Sequence, residues 1–490
     1  MKTYFKNLIS EINSKSLIYT FLIVGGFVFL TFRADLVPFV GSYLAGNLNG
    51  PQSTLNPDGL DKHLGPIAQS HYDSFMLVLW VTALLCVTVG GPLVYALFAF
   101  KEKPGFNPKK DKLPDQSHGN TKIEIGAIIY STLLLLVIAF APFGKMKIPA
   151  IAGIPYFFEG KTNVEGVPKL DGADNAMEID VYGHQWWFSF HYPEHGLVTS
   201  NELVFPTHTP VKINLRTEDV IHSFWLPKIA GKVDLMPGQV NNMWLYAEKE
   251  GNYSGQCAEY CGDSHAYMLF RGHATSQEKF DQWIKTQLEL AVVEDNGDDT
   301  FVSFGQGNHM RKLNTVEQLG EKLFNGKEVP TYLREKGHAD NKIACNRCHA
   351  LGAMPQPTWP NPNLNHFAER TTIAAAWLNM GTDEIKRWIK QPGKVKPGNR
   401  MWRDFATQYE IIDENTTQDL FNRKQTEKNA YHSFLTDDEA EAVAAFLLTL
   451  KHPEAPNWGP PPLNPSKRTP IVESGIQASS SALGDEFAKN

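Results

Sequence analysis

Two thiols, an imidazole and a thioether are crowded into Cys257-Ala-Glu-Tyr-Cys-Gly-Asp-Ser-His-Ala-Tyr-Met268, at intervals of three or four residues. A mononuclear blue-copper site uses one thiolate, two imidazoles and a weak axial thioether. Here Cys261 adds a second thiolate to Cys257, and a second imidazole stands upstream at His222, in Asp219-Val-Ile-His-Ser-Phe-Trp-Leu-Pro227. Two soft thiolates suffice to bridge two copper ions, leaving one histidine for each. A charge shared over two metals disturbs the ligands little when an electron arrives, so this set suits a one-electron relay. The same residues also admit a small-loop disulfide between Cys257 and Cys261, or structural zinc.

A second pair of thiols lies in Cys345-Asn-Arg-Cys-His349. This is a c-type haem attachment pattern, in which Cys345 and Cys348 add to the haem vinyls and His349 becomes the proximal iron ligand. A thioredoxin-like redox pair is the other reading of the pattern. The flanks favour haem, because a helical stretch, Val316–Phe324, precedes the thiols and no strand pattern leads into them. Four of the five cysteines are thus placed, and Cys86, in an apolar run, reads as a small buried hydrophobe.

These clusters need elements to hold them. A chain of 490 residues is expected to form two or three domains with extras, and 46 basic against 53 acidic residues suggest no nucleic-acid partner. Three charge-free apolar runs open the protein, between Lys15 and Arg33, Asp73 and Lys101, and Glu124 and Lys145. The latter two are long enough to span a bilayer, with Gly90-Gly91-Pro92 expected to kink the first of them; buried helices of a soluble core are the alternative. Lys101, Lys103, Lys109, Lys110, Lys112 and Lys122 place the intervening loop on the cytoplasmic side, so everything after Lys145 is expected outside. The first run, after Lys2, Lys6 and Lys15, suits a retained extra helix or a cleaved signal.

Residues 145–175, rich in glycine and proline, read as a connector. Short strands follow at Ala176–Tyr192, Val211–Thr217, Asn242–Ala247 and Tyr267–Arg271, implying a β-sandwich or barrel with the ligands on its loops. A helix is expected at Gln277–Leu290. Beyond it Glu294-Asp-Asn-Gly-Asp-Asp299 and the glycine-rich run to His309 read as a polar linker. An amphipathic helix over Thr436–Leu450 closes a second folded region, and 453–490 read as a disordered tail.

The string CxExCGxxHxxM, with His222 in its Asp-Val-Ile-His-Ser segment, resembles the CuA motif of cytochrome c oxidase subunit II. The resemblance implies a cupredoxin domain in which Cys257 and Cys261 bridge two coppers, ligated further by His222, His265, Met268 and the backbone carbonyl of Glu259. It implies that the Glu259 carboxylate reaches a magnesium ion at the border with subunit I, near Asp234. The thiols, absent from quinol-oxidase relatives, imply a cytochrome-type donor. Gly183-His-Gln-Trp-Trp-Phe188 resembles the family's aromatic patch, making Trp186 the residue that receives electrons, although Trp187 and Phe188 depart from the usual Tyr and Trp. The apolar pair resembles the family's two-helix anchor, with Glu124 at the place of a proton-pathway mouth, and without the Trp and Pro that usually follow it.

The segment around Cys345, with Asn361-Pro-Asn-Leu364 and Lys396-Pro-Gly-Asn-Arg-Met401, resembles a class I cytochrome c, especially that fused to subunit II of caa3-type oxidases. That implies Met401 as the sixth iron ligand; Met354 is too close to His349 to reach the opposite haem face. The expected organisation is multidomain: a signal anchor or extra helix over 1–40, a transmembrane hairpin over 60–145, a cupredoxin domain over 175–290, a linker over 291–311, an all-α cytochrome c domain over 312–452, and the tail. The expected setting is a bacterial inner membrane, with subunits I and III as partners and a cytochrome c or quinol-oxidising complex as donor. A CuA-type nitric oxide reductase subunit and a membrane-anchored electron carrier are the alternatives.

Overall fold

The computed structural model describes residues 18–25, 65–100, 105, 107, 119–145, 176–305, 307–335, 344–401 and 435–459. Most of the first apolar run, most of the lysine-rich loop, the 145–175 connector, the insertion after Met401 and the chain from 460 onward lie outside them. The chain divides into an N-terminal unit up to Phe158, with 163–167, and a unit comprising essentially the remainder.

The N-terminal unit contains α1 (Pro66–Leu85), a π-turn (Cys86–Gly90), α2 (Gly91–Ala99) and α3 (Thr121–Lys145). The π-turn falls just before Pro92, whose missing N–H would otherwise break the ladder, so the helix is interrupted where Gly90-Gly91-Pro92 predicts. Leu77–Ala99 and Thr121–Ala139 are long and apolar enough to cross a membrane, and apolar side chains such as Leu93, Leu97, Ile128 and Leu135 face outward along them. Thr88 of the π-turn and Tyr130 of α3 meet by their hydroxyls at 3.4 Å. Glu124 sits in the first turn of α3, where a carboxylate favours the helix dipole.

The second unit opens with two five-stranded sheets. Strands β1 (Met177–His184), β2 (Trp187–Tyr192), β3 (Leu197–Ser200), β5 (Val211–Thr217) and β8 (Asn241–Leu245) form the first, in the order β3-β2-β1-β5-β8. Strands β4 (Glu202–Pro206), β6 (His222–Trp225), β7 (Lys232–Leu235), β9 (Gly251–Cys257) and β10 (Leu269–Thr275) form the second, ordered β4-β10-β9-β6-β7. Alternation decides the inner faces: Ile179 and Val181 on β1 and Val211, Ile213 and Leu215 on β5 are wholly buried, while the intervening residues are partly exposed. Phe188, Phe224 and Phe270 meet between the sheets at ring separations of 4.7 to 6.2 Å. Each such buried ring stabilises the sandwich by about 1.5–3 kcal/mol.

Helix α4 (Gln277–Leu288), capped by the Ser276 hydroxyl, packs Phe280 and Trp283 beside Tyr192. The next segment differs from its expectation as an unpacked linker. It forms an antiparallel meander of β11 (Val292–Asn296), β12 (Asp299–Phe304) and β13 (His309–Lys312). Val302 and Phe304 are buried in the same core as the helices that follow, and Asn296-Gly297 makes the hairpin turn, with Gly297 at φ +65°.

That core is built on α5 (Thr315–Phe324), α6 (Thr382–Lys390) and α7 (Asp437–Leu447). Capping boxes, Asn314 with Glu317 and Thr436 with Glu439, start α5 and α7. The two helices cross where Gly320 lets the backbones touch; a Cβ there would overlap the Ala442 carbonyl. The region is not purely helical, since β14 (Thr372–Ile373) pairs with β15 (Leu378–Asn379). Residues 453–459, expected in a disordered tail, are folded: the Trp458 ring stacks on His273 at 4.9 Å and its carbonyl accepts from Asn252. An indole supplies the apolar area that lets so polar a stretch pack.

Candidate metal centre

Three strand ends bring the donors together. His222 begins β6, Cys257 ends β9, and Met268 immediately precedes β10; because β6, β9 and β10 run antiparallel in turn, these positions lie at one end of the second sheet. Cys261 and His265 lie on the loop between β9 and β10, His265 in a short 3-10 turn. The thiol sulfurs of Cys257 and Cys261 are 3.7 Å apart and free. His222 Nδ1 is 4.0 Å from Cys257, while His265 Nδ1 is 3.5 Å and Met268 Sδ 3.8 Å from Cys261. The Cys257 thiol donates to the Glu259 carbonyl at 3.2 Å, whereas the Glu259 side chain is exposed.

The site thus has two histidine arms around a central pair of sulfurs. Metal–thiolate bonds of about 2.3 Å fit between sulfurs at this spacing. The donor set exceeds the four ligands of a structural zinc site and is soft, as two coppers require. The two thiols share one hydrogen bond: it pulls the Cys257 thiol down and, with burial, pushes the Cys261 thiol up. A bound cation supplies the positive charge this pair lacks.

Asp219 orients the first arm. Its carboxylate accepts from His222 Nε2 at 2.7 Å, leaving Nδ1 to face Cys257, and is itself held by the backbone N–H groups of Gln185 and Val220. Burial depresses the His222 imidazole, but the hydrogen bonds to Asp219 and Cys257 outweigh it and the pKa is raised. Reading the sequence missed this role for Asp219, although an acidic residue three places before a candidate ligand was its signal.

Trp186 is brought to the site: its indole N–H donates to the Cys261 carbonyl at 2.9 Å. Trp187 turns away to stack on His184. Asp234 pairs with Ser223 across β6 and β7, and its backbone carbonyl accepts from Asn241. Glu124 belongs to the N-terminal unit.

In the helical region Cys345 packs against the core while Cys348 is exposed. The His349 Nδ1–H donates to the Pro362 carbonyl at 2.9 Å, which fixes the tautomer with Nε2 as the free ligand atom. Met354 Sδ accepts the Val198 N–H of β3, and Met380 packs on the core. Met401 is half-buried at the edge of the described residues.

Two face-to-face sheets with thiolate, imidazole and thioether donors gathered at one end define a cupredoxin-like domain. The profile described as cytochrome c oxidase subunit II, periplasmic domain, matches residues 195–271. Cytochrome c oxidase subunit 2 of Alkalihalophilus pseudofirmus is 31% identical over 360 residues, covering 74% of this chain and 89% of that protein. The same subunit of Bacillus sp. strain PS3 is 30% identical over 410 residues, covering 81% and 91%. Among solved structures, the periplasmic domain of subunit II of cytochrome oxidase of Bradyrhizobium japonicum is 31% identical, covers 25% of this chain and 96% of its own, and has a TM-score of 0.23. The chain belongs to the cytochrome c oxidase subunit II family. It is accordingly a subunit of a haem-copper oxidase complex, a membrane-anchored protein with a periplasmic domain that transfers electrons to subunit I.

Proposed function

We propose that this chain is the electron-relay subunit II of a caa3-type cytochrome c oxidase, carrying both a dinuclear copper centre and a haem c. The observation that carries the reading is the pair of free thiols 3.7 Å apart, with His222, His265 and Met268 converging on them. His222, Cys257, Cys261, His265, Met268 and the Glu259 carbonyl hold the coppers, which supply one-electron storage with little ligand movement. Cys345 and Cys348 attach the haem, His349 is its proximal ligand and Met401 the distal one. Trp186 receives the electron. The Glu259 carboxylate reaches magnesium shared with subunit I, and Glu124 lies at a proton-pathway mouth.

Further partners are subunit III, membrane lipid, and a cytochrome c or quinol-oxidising complex as donor. The membrane is the bacterial inner membrane, crossed more than once, with both redox domains on its outer side; subunit I reduces oxygen to water with proton translocation. The test is metal and haem analysis of the complex isolated by a tag on this chain, with optical and paramagnetic resonance spectra. Two coppers in a mixed-valence signal, one covalent haem c and oxygen consumption are expected. Zinc or a disulfide at Cys257 and Cys261 would overturn the reading.

A further inference from the structure

The Trp186 face is not open. Residues 396–398, from the region that carries the haem motif, lie directly on it. Lys396 is 4% exposed, and its ammonium donates to the Trp186 backbone carbonyl at 2.5 Å. Gly398 has φ +74°, and a Cβ there would come within 2.9 Å of the Trp186 ring and 3.0 Å of the Asp263 carboxylate. Ser264, next to the ligand His265, donates its hydroxyl to the Pro397 carbonyl at 2.6 Å. Trp186 is left 8% exposed.

The seating is broad as well as local. Asn363 donates its side-chain amide to the Val198 carbonyl and its backbone N–H to the Ser200 hydroxyl. The Thr371 N–H donates to Glu202, Leu269 N–H to the Ala375 carbonyl, and Arg271 to the Ala376 carbonyl. The Tyr267 and Trp377 rings meet edge to face at 4.5 Å. Against this apolar and amide-rich contact Lys396 stands out. A buried ammonium whose hydrogen-bond acceptor is one main-chain carbonyl is a poor way to gain stability, since its desolvation outweighs a single bond. Its geometry instead fixes where the turn sits.

We propose that Lys396 is a positioning residue: its buried side-chain amine, bonded to the Trp186 backbone carbonyl, fastens the 396–398 turn over the Trp186 ring. The consequence for electron transfer rests on the haem assignment proposed above; the seating itself does not.

The experiment compares Lys396→Met, which keeps the apolar stem and removes the donor, with Gly398→Ala, which pushes the turn off the indole without touching Lys396. Both are made in the full chain within the isolated oxidase complex. Amide hydrogen exchange is read over 184–190 and 262–268, with α5 and α7 as internal controls. Exchange at the two site segments is expected to rise about tenfold in both variants, about the worth of one hydrogen bond, with the controls unchanged. Haem-to-copper transfer after flash reduction is expected to slow about as much while both redox potentials hold.

Unchanged site exchange in both variants would overturn the proposal. If Lys396→Met loses protection in the controls as well, Gly398→Ala decides. Wild-type complex without haem c would overturn the functional reading instead, and the exchange data would still judge the role of Lys396.

Discussion

The indole N–H of Trp186 donates to the backbone carbonyl of Cys261 at 2.9 Å, and the Gln185 side chain donates to the same carbonyl at 3.0 Å. One peptide group therefore ties the aromatic turn between β1 and β2 to the thiolate loop between β9 and β10. The Gln185 N–H reaches the Asp219 carboxylate, so the same turn also braces the residue that orients His222.

Trp186→Phe keeps an aromatic ring but removes the donor to Cys261. We expect a stability loss of about 1 kcal/mol, the net worth of one hydrogen bond. The copper resonance signal should change in hyperfine splitting while metal content holds. Chemical denaturation and paramagnetic resonance of the variant complex check both halves.

Asp219→Asn leaves the packing in place but weakens the acceptor at His222 Nε2. Copper affinity is expected to fall about 10–100-fold, the usual effect of removing a partner that orients a ligand histidine. Chelator titration followed by copper analysis measures it. Affinity equal to wild type would show that Nδ1 is aimed without the carboxylate.

Ala374, Ala375 and Ala376 are consecutive left-handed residues, with φ of 53°, 57° and 57°. Each costs roughly 1–2 kcal/mol for an L-residue, and the carbonyls of Ala375 and Ala376 are held by Leu269 and Arg271. Ala374, the least buried of the three, is the one to replace. Ala374→Gly should stabilise the chain by about 1 kcal/mol after the added unfolded-state entropy is set against the relief. A rise in the thermal midpoint is the readout, and a fall would rule out the strain argument.

Burial works to raise the Glu439 carboxyl, but hydrogen bonds from the N–H groups of Thr436 and Thr331 and from the Thr331 hydroxyl outweigh it, and its pKa is lowered. A depressed carboxyl contributes stability that is fully present above its unfolded pKa of about 4.3 and is lost as pH falls through the lower folded value. Unfolding of the wild-type chain should therefore become easier with acid in that window. Glu439→Gln should flatten the dependence there, as thermal scans at stepped pH would record.

The candidate ligand residues stand out in the sequence because chemistry concentrates them: Cys257, Cys261, His265 and Met268 sit within one loop, and Cys345, Cys348 and His349 within one turn. The two long apolar helices were legible too, since such runs stand out whatever the tertiary context. Strands β1 and β5 followed from alternation, whose period is a property of the extended backbone.

The meander over 292–312 was hidden by its polar edge residues, although Asn296-Gly297 between Val293 and Phe301 is a hairpin signal; the partner core that buries Val302 and Phe304 lies far along the chain. The tertiary structure alone decided how Asp219 aims His222, how Trp186 meets Cys261, and that Lys396 lies over Trp186. The last two join residues separated by 75 and 210 positions, and no local periodicity encodes such a pair. Residue type and spacing set which atoms are able to bind metal, because those depend on covalent chemistry and short-range geometry. Which groups orient them, and which surface covers them, depends on how distant segments pack, and only the folded chain determines that.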